Sequence, residues 1–263
     1  MPIIEKHTPG EFCWVELGTT DPAAAKAFYG KLFGWGAQDN PVTDTDFYTL
    51  FQLEGRDAAG MYRMSAEQLS QGVPPHWMLY VCVESADETA ARAEQLGGSV
   101  VAKPFDVFDI GRMALLRDPT RAMVSLWQPK KHIGTGINQI PGTLCWSELA
   151  TRDTGRAAEF YTGLFGWGTK TDQMGPETYT EWINQGTPIG GMMEIQPQWG
   201  DVPPYWMPYF LVTNCDSSAA TATGSGGTLI LPPTDIPNVG RFAVVKDPQG
   251  AVFSIIHLTA PAA

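Results

Sequence analysis

The sequence predicts an α+β protein of two tandem domains, each assembled from two strand–helix–strands modules. Three observations carry this. The stretch "GEFCWVELGTTDPAAAKAFYGKLFGWG" from Gly10 aligns without gaps on "GTLCWSELATRDTGRAAEFYTGLFGWG" from Gly142. Later segments repeat as well: "PPHWMLYVCV" from Pro74 matches "PPYWMPYFLV" from Pro203, and "GRMALLRDPTRAMVSLW" from Gly111 matches "GRFAVVKDPQGAVFSII" from Gly240. Within each copy, moreover, a strand followed by a helix and further strands occurs twice. Two copies mean homologous domains rather than a solenoid. The connector "QPKKHIGTGINQIPG" is polar, glycine-bearing and unpatterned, which sets the domains at 8–129 and 142–259 with a linker at 130–141.

Taken in order, Cys13 to Leu17 alternates as a strand. Asp21-Pro22 starts a helix, since Asp accepts from the exposed amides and Pro tolerates the first turn. Ala25, Phe28 and Leu32 form its apolar stripe, and Gly34 stops it. "WMLYVCV" opens the second module as a strand. Ser85-x-x-Glu88 reads as a capping box for a helix through Leu96, ended by Gly97-Gly98. Its counterpart "NCDSSAATATGSGG" is rich in Thr, Ser and Gly, so a short, weakly held helix is expected. In the closing hairpin, "DPQGA" at Asp247 has glycine where the turn wants positive φ, but "DPTRA" at Asp118 has Arg121. A side chain there costs on the order of 1 kcal/mol, or the turn changes type.

The 263 residues are 43% hydrophobic and 17% charged, enough for a real core. A formal charge of −11 argues against nucleic acid or an anionic membrane as partner. Lys130-Lys131-His132 is the one basic cluster, and it reads as solvated linker. The N-terminus lacks a signal-peptide pattern, and no apolar run approaches the ~20 residues that cross a bilayer. A cytoplasmic monomer or homodimer with a small-molecule partner is expected. Cys13, Cys82, Cys145 and Cys215 show no close pairing and read as small core residues.

The strand ending in Asp21, the "AFYGKLFGW" helix, the "LGG" after the second helix and the final "GR…DP…A…S" hairpin resemble the glyoxalase/bleomycin-resistance/extradiol-dioxygenase (vicinal oxygen chelate) superfamily. The likeness runs over Gly10 to Trp127 and Gly142 to His257, nearest the tandem glyoxalase-like bacterial branch. It implies that each domain is two βαβββ modules whose mixed sheet curls into a cup, with helices outside. The superfamily's enzymes hold a divalent metal in that cup. Carried over, the ligand positions fall on Trp14 and Trp146, Met78 and Met207, Ser125 and Ser254, and near Gly60-Met61 and Gly190-Gly191. Indole has no lone pair to donate, thioether is soft, and serine hydroxyl is a weak ligand. The expectation is therefore no metal and no other cofactor.

Strand alternation then assigns faces. Trp14 and Glu16 point into the cup, with Cys13, Val15 and Leu17 toward the helix. Met78, Tyr80 and Cys82 point inward, as do Ser125 and Trp127; the second copy gives Trp146, Glu148, Met207, Tyr209, Ser254 and Ile256. An apolar cavity with a few convergent polar groups suits an organic ligand. The tryptophans read as ligand wall or as core filling. An inward carboxylate needs a partner; Arg112 and Arg241 are the expected structural partners of Glu16 and Glu148, while Tyr80 and Tyr209 either bind ligand or hydrogen-bond that glutamate. His76, Trp127 and "FDVF" from Phe105 give the first cup a more aromatic rim.

Three functions stand side by side. The first is a metal-free, aromatic-lined binding protein for a planar hydrophobic or cationic small molecule, like the superfamily's antibiotic-sequestering members. The second is a metal-independent enzyme of secondary metabolism using Glu16 or Glu148 as general acid or base. A metal-dependent lyase or dioxygenase ranks last.

Overall fold

A computed structural model describes residues 3–44, 46–174 and 177–259. In the first half, strand β1 (Phe12–Thr19) leads into helix α1 (Pro22–Phe33), then β2 (Gly36–Pro41), β3 (Phe47–Leu53) and β4 (Arg56–Arg63). After the short α2 (Ala66–Ser70), the order repeats as β5 (His76–Cys82), α3 (Ala86–Gln95), β6 (Ser99–Val107), β7 (Gly111–Arg117) and β8 (Met123–Pro129). The second half follows suit with β9 (Leu144–Thr151), α4 (Thr154–Phe165), β10 (Gly168–Met174), β11 (Glu177–Asn184) and β12 (Thr187–Glu194). It ends with β13 (Tyr205–Leu211), α5 (Cys215–Gly224), β14 (Thr228–Ile236), β15 (Gly240–Lys246) and β16 (Val252–Leu258).

Each half forms one eight-stranded mixed sheet, in the orders β2-β3-β4-β1-β5-β8-β7-β6 and β10-β11-β12-β9-β13-β16-β15-β14. The first strands of the two modules, β1 and β5, pair antiparallel at the centre. Parallel pairs β1–β4 and β5–β8 flank them. Both modules of a cup therefore come from the same half. The sheet is curled. Tyr48 of β3 and Val107 of β6 pack on one small cluster with Trp14, Tyr80 and Trp127. A flat sheet would hold strands six positions apart at roughly 29 Å.

The helices begin and end as their sequences dictate. Asp21 accepts from Ala23 N at 3.1 Å and Ala24 N at 3.0 Å, and Gly34 closes α1 at φ 75°. Ser85 Oγ accepts from Glu88 N at 3.2 Å, while a full reciprocal capping box joins Ser65 and Gln68 at α2. The Thr- and Ser-rich α5 spans ten residues, as α3 does, so its composition does not shorten it. Cys215, Ala219 and Ala222 are buried on one side of α5, and packing overrides weak propensity there. Arg121 takes φ 89° where Gly250 takes 114°, so the turn keeps its shape and the arginine bears the strain.

The outer faces of both sheets share one core. Phe33 lies 4.9 Å from Phe210, and Phe12 5.1 Å from Trp206, measured between ring centroids. Polar bonds cross the interface reciprocally. Tyr29 donates to Asp247 Oδ2 at 2.8 Å and Tyr161 to Asp118 Oδ2 at 2.9 Å. Trp35 donates to Gly142 O at 2.7 Å and Trp167 to Gly10 O at 2.9 Å. The duplicated "FY…LFGW" helix thus holds the opposite half.

Two sequence expectations are corrected. Cys13 joins the cup cluster rather than the helix side, as its counterpart Cys145 joins the other. A β-bulge between Phe12 and Trp14, and its counterpart at Leu144 and Trp146, adds a residue and breaks the alternation. Arg112 does not reach Glu16, nor Arg241 Glu148. Arg112 binds Asp87 at the start of α3 through two bonds of 2.7 and 2.9 Å, and Arg241 binds Asp216 of α5 at 2.8 and 2.9 Å. Met113 faces Trp127 across the β7–β8 pair inside the cup, so its neighbour Arg112 must point outward.

Candidate functional site

The centre of each cup is a carboxylate held by tyrosines. Glu16 lies between Gly60 on β4 and Met78 on β5. Its Oε1 accepts from the Tyr48 hydroxyl at 2.6 Å and its Oε2 from the Tyr80 hydroxyl at 2.7 Å. The Trp14 indole N–H donates to the Tyr48 oxygen at 3.0 Å. The second cup repeats each link. Trp146 donates to Tyr179 at 2.8 Å, Tyr179 to Glu148 Oε2 at 2.9 Å, and Tyr209 to Glu148 Oε1 at 2.8 Å.

The chain of bonds has a direction. An indole can only donate, so each first tyrosine must turn its own proton toward the glutamate. Burial pushes the Glu16 and Glu148 carboxyls above their ordinary range, and the tyrosine bonds hold them partly down. Burial, then the neighbouring carboxylate, pushes Tyr48, Tyr80, Tyr179 and Tyr209 upward, so the hydroxyls stay protonated donors. Among the described residues each carboxylate oxygen accepts one side-chain bond, which leaves a second acceptor direction for a ligand or its proton.

Glycine makes room for this chain. A Cβ on Gly60 would collide with the Tyr48 hydroxyl, and one on Gly191 with that of Tyr179. Beside the second tyrosines stand Ser125, paired with Tyr80 across β5–β8, and Ser254, paired with Tyr209. Both serine hydroxyls are buried without a hydrogen-bond partner among the described residues, although Ser254 lies near enough to Tyr209 to ease its ionisation. Met78 and Met207 lie against the glutamates from β5 and β13.

The cups differ at their ends. In the first, Trp127 fills the space above Gly111 and donates to His132 O at 2.9 Å. Ile256 takes that place in the second. At the far end of the first cup, Tyr62 lies over Gly18 with His76, 3.4 Å from hydroxyl to Nε2. Val107 of the "FDVF" segment packs inward, while Phe105 and Phe108 are exposed.

Trp14, Glu16, Tyr80 and Trp127 are therefore gathered with Met78 and Ser125, as are Trp146, Glu148, Met207, Tyr209 and Ser254 in the other half. Sequence reasoning missed Tyr48 and Tyr179, which hold the glutamates together with Tyr80 and Tyr209. Each missed tyrosine begins a "YT" pair twelve residues before its glycine, Gly60 or Gly191. That shared spacing was the available signal.

The donors do not fit a divalent ion. The positions that would supply ligands carry indole, thioether, hydroxyl and glycine, and tyrosine occupies the space a side chain on Gly60 or Gly191 would need. Among the described residues no three His, Cys, Asp or Glu side chains gather closely enough to hold a metal. No helix among the described residues is long and apolar enough to cross a membrane.

Comparison with known proteins places these features. The model of the Glyoxalase/Bleomycin resistance protein/Dioxygenase superfamily matches residues 12–126 and 139–255. CFP32 of Mycobacterium tuberculosis, whose name proposes a glyoxylase, is 40% identical over 258 residues, covering 97% of this chain and 98% of that protein. The anthracycline biosynthesis protein DauV of Streptomyces sp. is 33% identical, covering 96% of this chain and 95% of that one. Among solved structures, the Mn(II)-bound glyoxalase of Novosphingobium aromaticivorans superposes with a TM-score of 0.65 at 15% identity, over 95% of this chain and 82% of that one. The 2,3-dioxygenase LapB of Pseudomonas sp. KL28 gives 0.64 at 12%, over 95% and 93%. At such identities the structural likeness speaks for fold alone.

Proposed function

The chain belongs to the glyoxalase/bleomycin resistance protein/dioxygenase superfamily, and from that premise we propose that it binds a flat, largely apolar small molecule in its aromatic-lined cups without a metal ion. The observation that carries this reading is the duplicated Trp–Tyr–Glu–Tyr chain, which spends the old ligand space on an oriented carboxylate. In it Trp14 and Trp146 are the apolar walls, and Met78, Met207 and Trp127 fill the sides. Glu16 and Glu148 take a donor of the ligand. Ser125 and Ser254 offer buried hydroxyls that no hydrogen bond engages among the described residues. A pocket of this make-up suits an organic ligand with a few hydrogen-bonding edges.

Isothermal titration against planar aromatic compounds tests it. A saturable complex is expected, weakened at least tenfold by the double substitution Trp14→Ala with Trp146→Ala. A broad panel with no saturation would refute the reading.

A second reading makes the same site catalytic. The raised carboxyl of Glu16 or Glu148 supports a general acid or base, and the likeness to DauV supports a place in aromatic natural-product synthesis. Glu16→Gln with Glu148→Gln separates the two, because turnover on a compound that binds would then be lost while binding persists.

A further inference from the structure

The two cups are not equally open. In the first half the connector lies in the groove between the starts of β1 and β4. Thr135 N–H donates to Cys13 O at 2.7 Å and Gly136 N–H to Asp57 O at 2.8 Å. A Cβ on Gly134, which takes φ 107°, would collide with Cys13 O, so the approach is close. The His132 ring then stands edge-on to Trp14, with centroids 4.7 Å apart and an interplanar angle of 87°. Its Nε2 is 3.3 Å from the Asp57 carboxylate. A ring from the chain itself closes this end of the cup.

The counterpart groove, between the starts of β9 and β12, is a cavity of about 840 Å³. Cys145 and Trp146, the counterparts of Cys13 and Trp14, are among the residues that line it. Thr187 and Pro188 stand where Arg56 and Asp57 stand in the first half. Gln139 Nε2 donates to Cys145 O at 3.0 Å, taking the acceptor that Thr135 meets in the other half. The N-terminal segment forms the outer wall, where Glu11 is already engaged by His7 and Thr8. The volume lies within the range of small-molecule pockets, about 300–1,000 Å³.

We propose that the second cup is the one that takes ligand, and that an aromatic ring of the ligand seats on Trp146 through this groove, as His132 seats on Trp14. The inference rests on the reading that the cups bind flat organic molecules, and it assigns the site. The first half shows that the end of a cup accepts a ring edge-on to its tryptophan. The carboxylate beside that ring, Asp57, becomes Pro188 in the second half, and the charged groups of this groove are instead Glu5, Lys6 and Glu11 of the N-terminal segment. Polar substituents of the ligand face the outer wall.

Titration of the full chain with 1,8-dihydroxyanthraquinone, an uncharged three-ring compound with phenol and carbonyl edges, tests this. One equivalent is expected to bind. Asn138→Trp or Thr187→Trp, each at the groove, should weaken it at least tenfold, and His132→Ala should add a second equivalent by vacating the ring place on Trp14. Unchanged affinity in both groove variants, with loss in Trp14→Ala, would put the site in the first half and overturn the inference while leaving the binding reading intact. Absence of binding by the unaltered chain to this compound and to the wider aromatic panel would sink both.

Discussion

At the scale of residues, the site is a question of where protons sit. Tyr48 is both acceptor for Trp14 and donor to Glu16, so one substitution breaks two bonds. Tyr48→Phe should cost about 1–3 kcal/mol in a urea titration, since it strands an indole N–H and bares a carboxylate oxygen. Glu16 has a folded-state pKa above its unfolded one. The stability it withholds therefore grows as pH rises through the ordinary carboxylate range toward the raised value, then levels off. Glu16→Gln should gain on the unaltered protein across that window, read as a widening difference in unfolding midpoint with rising pH. Parallel midpoint curves would contradict the assignment. Glu16 and Glu148 were legible in the sequence because alternation along a strand fixes a face. Tyr80 and Tyr209 were legible in the same way, but Tyr48 and Tyr179 were not, because they reach the glutamates from strands that follow unlike loops, and only the sheet order brings those strands near.

At the scale of elements, what repeats was readable and what interrupts a repeat was not. Helix starts at Asp21 and Ser85 follow from local hydrogen-bonding chemistry, which needs no distant residue. The bulges that turn Cys13 and Cys145 into the cups leave no mark in the pattern of apolar residues. Nor does alternation say which of several acids an arginine will meet; Asp87 and Asp216 lie at helix starts that pack beside the hairpins. The hairpin turn at Arg121 gives a direct test. Arg121→Gly should stabilise the protein by up to about 1 kcal/mol, by calorimetry, because the φ of 89° then costs nothing sterically. A loss of stability would mean that the arginine side chain contributes more than its backbone strain removes.

At the scale of the whole molecule, the halves are not separable bodies. Tyr29 and Trp35 reach into the second half as Tyr161 and Trp167 reach into the first. Burial pushes the accepting carboxyls of Asp118 and Asp247 upward, and the tyrosine bonds oppose this. Calorimetry should show one unfolding transition for both halves, lowered as a unit by Tyr29→Phe; two resolved transitions would refute the shared core. Mutual contacts of this kind are those of a symmetric pair, where each member offers the same patch to the other. Here a single polypeptide supplies both members. In a pair of identical chains every change in gene sequence lands on both pockets at once. Joined end to end, one pocket can be altered while its twin keeps the original chemistry, and the joining segment itself, through His132, has become part of only one of them.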